Sequence, residues 1–367
     1  MSATEKARLV EAITAWTHER YGKGARVRSV RAIDDDVGDK GFGYANVIRI
    51  ELEGAPVESV VLHIARRGGF GHEDLADRAH DAFLPWQTFN TFPEHVRALD
   101  VGYVDTSGIL ESAAAAHDFF LVTEYAKGTP YFHDLERIAT SGAFGLEDEA
   151  RVVRLAELLA KAHAEKRDDR EAWLRRLRDL AGHHECVAGL VDSYDGKVAD
   201  GIPDVATLRR IEHRVLDHRH RLKPYAHRLA RVHGDFHPWN LLFDGVGAER
   251  KVVVLDRSRG AYGEPADDLT ALSINYLFFA LRHGSRAVAP LRALHRRFFD
   301  TWLAVTKDPE VLAVAQPYLV FRALVVASPV WYPDLPDGMR ARLFALIDTV
   351  LDMETLDLDV LETFFER

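Results

Sequence analysis

The sequence predicts an α+β fold in two lobes: a small β-rich N-terminal lobe over residues 1–124 and a larger helical lobe over 125–367, with a hinge near 120–128. Two observations carry this. Short apolar runs of strand length at 27–33, 44–53 and 57–65 crowd the first third, behind a helix whose apolar positions Ala7, Val10, Ile13 and Trp16 share one face. The remainder reads as helices at 134–139, 147–165, 168–181 and 204–231, and again almost throughout from Asp267 to the end. A chain of 367 residues is long enough for two cores of that size.

The elements between these blocks are less regular. A glycine-rich stretch, Gly38-Asp-Lys-Gly41-Phe-Gly43-Tyr-Ala-Asn46, separates the first two strands, and 72–90 reads as a helix. The apolar run 119–123 predicts a buried strand leading into the hinge, Glu124-Tyr-Ala126-Lys-Gly128. Residues 190–203, with Gly, Asp and Pro, predict a loop within the second lobe.

Composition narrows the function classes. The formal net charge of -10 argues against a nucleic-acid partner, which asks for a basic face. The single cysteine, Cys186, rules out a disulfide within the chain and predicts a reducing, cytoplasmic compartment. The N-terminus mixes charges among its apolar residues, unlike a signal peptide, and no run of 18 apolar residues predicts a membrane span.

The segment richest in chemistry is Val232-His233-Gly234-Asp235-Phe236-His237-Pro238-Trp239-Asn240-Leu-Leu-Phe243, followed by a polar Gly-containing turn and Lys251-Val-Val-Val-Leu255-Asp256. Two short apolar runs around such a turn predict a β-hairpin. Asn240 precedes its first strand and Asp256 follows its second, so the two should meet at its mouth. An amide oxygen and a carboxylate there form a hard oxygen site suited to Mg²⁺. Asp235 lies five residues before Asn240, and in phosphoryl transfer an Asp at this spacing orients a hydroxyl and accepts its proton.

These residues resemble the catalytic loop of the aminoglycoside phosphotransferase and choline kinase superfamily, and the resemblance extends over most of the chain. It implies a bilobal, protein-kinase-like fold and transfer of the γ-phosphoryl group of ATP, or GTP, to a hydroxyl of a small molecule, an antibiotic among the possibilities. By this likeness Asp235 is the base, Asn240 and Asp256 hold Mg²⁺, and His233, His237 and Asp268 support the loop. Gly41, Gly43 and Asn46 would cover the nucleotide, and the backbone of Glu124 and Ala126 would meet its base. The strand Val60-Val-Leu-His63-Ile64 carries His63 where the family has a phosphate-pairing Lys, so His63, Arg66 or Arg67 would serve there, with Glu73, Asp77 or Asp81 as acid partner.

Other readings stay open on the residues alone. His233, Asp235, His237 and Asp256 would suit a transition metal. Arg257 and Arg259 would bind an anion, or pair with Glu264, Asp267 or other loop acids. The nine acids and three arginines of 334–367 would form an acidic wall for a cationic ligand or a solvated helix face. His63 in place of Lys keeps a nucleotide-binding pseudokinase, regulatory rather than catalytic, as the alternative function.

Overall fold

The structure is a computed structural model describing residues 3–32, 45–68, 72–91, 93–194, 203–245, 251–257 and 259–366. Gly41 and Gly43, most of the 190–203 loop and the turn of the hairpin lie outside the described residues. The chain divides into two compact units, Met1–Thr123 and Glu124–Arg367. The architecture is α+β, strands concentrating in the first unit and helices in the second, as the sequence predicts.

The first unit opens with α1 (Ala3–Tyr21) and an antiparallel meander of β1 (Arg26–Ala32), β2 (Ala45–Glu53) and β3 (Ser59–Ala65). Side chains alternate across a strand, so Ile48, Ile50 and Leu52 of β2 and Val60 of β3 line one face, where they join Ile13 of α1 in a buried cluster. Burying each of these side chains contributes roughly 1.5–3 kcal/mol. The opposite alternation leaves His63 and Val61 exposed. Next come α2 (Leu75–Thr88) and the ribbon of β4 (Gly102–Val104) and β5 (Leu110–Ser112). Trp16 of α1 donates its indole N–H to Asp100 at 2.7 Å, which ties the segment before β4 to α1.

The expected buried strand at 119–123 is not formed: the segment is irregular and its side chains are exposed, Phe120 at 91%. A short apolar run reads as a strand, but a strand also needs a neighbour to satisfy its backbone. Among the described residues it pairs with neither sheet of the first unit, β1–β2–β3 or β4–β5.

The second unit begins with β6 (Thr129–Pro130), α3 (Tyr131–Ser141), α4 (Leu146–His163), α5 (Arg170–Gly182), α6 (Val187–Ser193) and α7 (Val205–Leu222). The expected helix over 204–231 stops at Leu222, because Pro224 has no N–H to continue the ladder. Next come β7 (Ala230–Arg231), β8 (Leu241–Asp244), β9 (Lys251–Val254) and β10 (Tyr262–Gly263). The chain finishes with α8 (Pro265–His283), α9 (Ser285–Thr306), α10 (Val311–Val314), α11 (Gln316–Ala327), α12 (Asp337–Asp352) and α13 (Leu358–Thr363).

Helix α8 is buried around almost its whole circumference and is the axis of this unit, with α3, α9 and α11 packed around it. The predicted hairpin is β8–β9, in register from Leu241↔Val254 to Asp244↔Lys251. Its outer neighbour is β6, where Thr129 faces Phe243. Gly128, at φ +142°, allows this pairing: a Cβ there would sit 3.0 Å from the Leu242 Cβ and 3.1 Å from the Phe243 carbonyl oxygen. Among the described residues no helix is long and apolar enough to cross a membrane.

Candidate active site

The loop between β7 and β8 is held from behind by one carboxylate. Asp268, fully buried in the first turn of α8, accepts the amide of His233 at 2.8 Å, the amide of Gly234 at 2.7 Å and Nε2–H of His163 at 3.0 Å. His163 is oriented in turn by the Trp302 indole, which donates to its Nδ1 at 3.1 Å. Burial alone would raise the Asp268 pKa, but these donors favour the anion and hold it below the ordinary carboxylate value. Gly234, at φ +86°, sits at the turn of the loop. Its amide faces Asp268 and its carbonyl faces Arg322.

Each histidine of the loop is committed to the backbone. His233 donates from Nε2 to the Leu255 carbonyl at 2.8 Å and accepts the Asp235 amide at Nδ1. His237 accepts the Trp239 amide at Nδ1, which leaves Nε2–H directed at Asp235 Oδ2, 3.5 Å away. The transition-metal reading therefore fails at His233, whose ring nitrogens are both occupied. Among the described residues no three of His, Cys, Asp and Glu converge on a common ion.

At the hairpin mouth the Leu255 amide donates to the Asn240 carbonyl at 2.8 Å, extending the strand pairing by one step. Asn240 and Leu255 thus lie opposite each other, and Asp256 stands immediately beyond. Asn240 is buried, and its side-chain nitrogen donates to the Asp235 carbonyl at 3.1 Å, which leaves the amide oxygen as the atom to meet a metal. Asp256 is exposed and adopts a left-handed φ of +52°, unusual for a residue with a Cβ. An inner amide oxygen beside an outer carboxylate fits Mg²⁺, which takes few protein ligands and completes its shell with water and phosphate.

Asp235 itself is gripped from the far side. Arg322 of α11, buried, donates to Asp235 Oδ1 at 2.6 Å, to the Gly234 carbonyl at 2.6 Å and to Asp267 Oδ1 at 2.7 Å. Arg259 places Nε 3.9 Å from the same Oδ1. Burial would raise the Asp235 pKa, but the His237 hydrogen bond and the Arg322 and Arg259 charges outweigh it and hold the carboxyl well below the usual range. Sequence reading passed over Arg322. The available signal was its isolation, a lone charge in the apolar helix QPYLVFRALVVA, since a charge placed inside must be paired.

Neither Arg257 nor Arg259 pairs with Glu264 or Asp267, but Arg259 meets two loop acids, Glu185 at 3.8 Å and Asp235 at 3.9 Å. Glu264 is held by Arg228 through two hydrogen bonds of 2.8 and 2.7 Å, and Asp267 belongs to Arg322. Arg257 instead donates to the Val232 and Ala261 carbonyls, and Arg259 lies over the Phe321 ring with its centroid 5.1 Å away. Among the described residues five of the nine C-terminal acids are paired: Asp348 with Arg210, Asp352 with Arg214, Asp359 and Glu362 with Arg296, and Glu366 with Arg292. These pairs link α12 to α7 and the C-terminal segment to α9. Tyr131 is core, its hydroxyl 3.1 Å from that of Tyr276.

His233, Asp235, His237, Asn240, Asp256 and Asp268 are thus assembled within the second unit. Glu124 is exposed and Ala126 half-buried in the irregular segment that opens it. Asn46 and His63 belong to the first unit. Asn46 is a residue of β2, facing Ile64, rather than part of a turn, and its side-chain oxygen accepts from Arg66 at 2.6 Å. His63 lies opposite Val47. Of its candidate acid partners, Asp81 is taken by His72, and Asp77 accepts the Asp74 amide at the start of α2.

The phosphotransferase enzyme family, known as APH, matches residues 43–306, well over half of the chain and the whole of this loop and hairpin. The chain belongs to this family. No curated protein matches it. Among solved structures, this APH-family chain is similar to a glucosamine kinase in complex with glucosamine, ADP and inorganic phosphate, at 19% identity and a TM-score of 0.39, over 59% of this chain and 58% of that one. The chain therefore spans less than three-fifths of the length of that protein. A Plasmodium vivax ethanolamine kinase is similar at 10% identity and a TM-score of 0.38, over 95% and 87% of the two chains. A spectinomycin phosphotransferase in complex with ADP and spectinomycin is similar at 11% identity and a TM-score of 0.29, over 97% and 98%.

Proposed function

We propose that this APH-family chain transfers the γ-phosphoryl group of ATP, or of GTP, to a hydroxyl of a small natural product such as an antibiotic. The observation that carries the reading is the hairpin mouth. There the Asn240 side chain is bonded to the Asp235 carbonyl, and Asp256 follows the residue paired with Asn240. Asp235 holds the acceptor hydroxyl and takes its proton as the oxygen–phosphorus bond forms. Asn240 and Asp256 hold Mg²⁺, which when bound draws the phosphates together and offsets the charge that develops on them. The reading assigns the backbone of Glu124 and Ala126 to the base, Asn46 to covering the nucleotide and His63 to pairing a phosphate. His233, His237 and Asp268 fix the loop. Asp256 is followed closely by α8, beginning at Pro265, which leaves little chain for a protein-docking segment and favours a small acceptor.

A nucleotide-binding pseudokinase is the second reading, favoured by the imidazole of His63 in place of an ammonium. Calorimetric titration of ATP and GTP, with and without Mg²⁺, separates the two when run on wild type, Asp256→Ala and Asp235→Asn. The catalytic reading expects Mg²⁺-dependent binding that Asp256→Ala loses and Asp235→Asn keeps. Turnover should then appear in a hydroxyl-acceptor screen that includes glucosamine, ethanolamine and spectinomycin, and Asp235→Asn should lose it. Binding indifferent to Mg²⁺ and to both substitutions would refute it.

A further inference from the structure

We infer that Arg322 is a positioning residue for phosphoryl transfer, which fixes the Asp235 carboxylate so that Oδ2 is the proton-accepting atom. The inference deepens the phosphotransferase reading and rests on it. Arg322 projects from α11, 87 residues along the chain from Asp235, and places one nitrogen on Oδ1 and another on both the Gly234 carbonyl and Asp267 Oδ1. Three bonds of 2.6–2.7 Å from one planar, buried group set the rotation of the carboxylate as well as its position. The guanidinium is steadied in turn by the Phe321 ring, 4.5 Å below it.

The two carboxylate oxygens are thereby made different. Oδ1 carries the Arg322 bond and is the atom nearer Arg259. Among the described residues Oδ2 meets only the Nε2–H of His237, at the longer distance of 3.5 Å. A hydroxyl approaching Asp235 therefore finds its acceptor in Oδ2. In the transfer the acceptor O–H bond breaks with its proton passing to Oδ2. The acceptor oxygen bonds to the γ-phosphorus, and the bond from that phosphorus to the bridging oxygen breaks as the nucleoside diphosphate leaves. Among the described residues the groups facing Asp235 are Arg322 from α11, Arg259 from the segment after β9, and His237 and His233 of its own loop. Asp267 of α8 acts through Arg322.

The test uses the full chain and MgATP with water as the acceptor, so that it needs no identified substrate. Arg322→Met leaves the half-buried Asp267 without its cation, so Arg322→Met/Asp267→Asn is measured beside it, with Arg322→Lys as the conservative variant. In the folded double variant kcat for MgATP hydrolysis should fall on the order of 10²-fold, with KM for MgATP unchanged. Arg322→Lys should recover part of the loss in kcat. A folded variant with wild-type kcat overturns the inference. A rise in KM that accounts for the whole loss also overturns it, since Arg322 would then be binding nucleotide. Failure of wild type itself to bind MgATP is a separate result, which refutes the phosphotransferase reading before any variant is compared.

Discussion

The side-chain amide of Asn240 donates to the main-chain carbonyl of Asp235 at 3.1 Å, so the proposed metal ligand and the proposed base are mechanically one unit. Asn240→Asp separates the two duties. It keeps an oxygen for Mg²⁺ but sets a carboxylate against the Asp235 carbonyl in a buried position. Turnover should fall on the order of 10²-fold while Mg²⁺-dependent nucleotide binding persists. Asn240→Ala should lose both. Calorimetry and a phosphate-release assay on the two variants check this, and equal behaviour of the variants would dissolve the coupling.

Asp268→Asn tests the brace behind the loop. Asp268 receives three donors in a fully buried site, and an amide in its place must turn its own N–H₂ toward at least one of them. A cost of about 2–3 kcal/mol is expected, a fall in Tm of roughly 4–12 °C for a unit of this size. Differential scanning calorimetry reads it directly. A change of less than a degree would mean that the loop is held by the histidine bonds alone.

The loop before β8 and the hairpin were legible because their information is local: Asp235, Asn240 and Asp256 lie within one turn-and-hairpin segment, and the β8–β9 register follows from two apolar runs. Arg322 was not, because its partner is 87 residues away and its sequence context states only that a charge is buried, not with what. The run at 119–123 misled for a related reason. Its composition suits a strand, but a strand forms only where its backbone is paired, and this run pairs with neither sheet of its unit. Helix α7 was read too long because charged, helix-compatible residues continue beyond Leu222, while Pro224 decides the end.

Two buried histidines set an acid limit on stability that is independent of catalysis. His295 is enclosed by the rings of Tyr276, Phe299 and Phe365, and burial lowers its pKa to about 3. Burial, reinforced by Arg221, lowers His218 to about 4. Both are neutral when folded, whereas the unfolded chain takes up their protons as pH falls through about 6.5. Stability is therefore full above that value and declines below it, until the folded pKa values are reached. At pH 4.5 each imidazole should cost about 3 kcal/mol. His295→Phe should flatten part of the fall in Tm between pH 6.5 and 4.5, measured against wild type in the same buffers. Parallel curves would show that carboxylates dominate acid unfolding instead.

His63 decides how the phosphates are met. It stands exposed on β3, opposite Val47 and on the face of the sheet away from the Ile48–Ile50–Leu52 cluster, so its replacement should leave the first unit's core intact. If the imidazole pairs a phosphate, His63→Ala should weaken MgATP binding by about tenfold or more, the worth of one charge-assisted hydrogen bond. His63→Lys should restore or strengthen it, since an ammonium remains charged at every pH where the protein is folded. The same titration on Arg66→Ala and Arg67→Ala identifies a substitute, with Arg66 the weaker candidate because its Nε already holds Asn46. Wild-type affinity in His63→Ala, with a loss in one arginine variant, would transfer the role. Wild-type affinity in all three would mean that nucleotide is bound without a cation from this strand, the arrangement the pseudokinase reading expects.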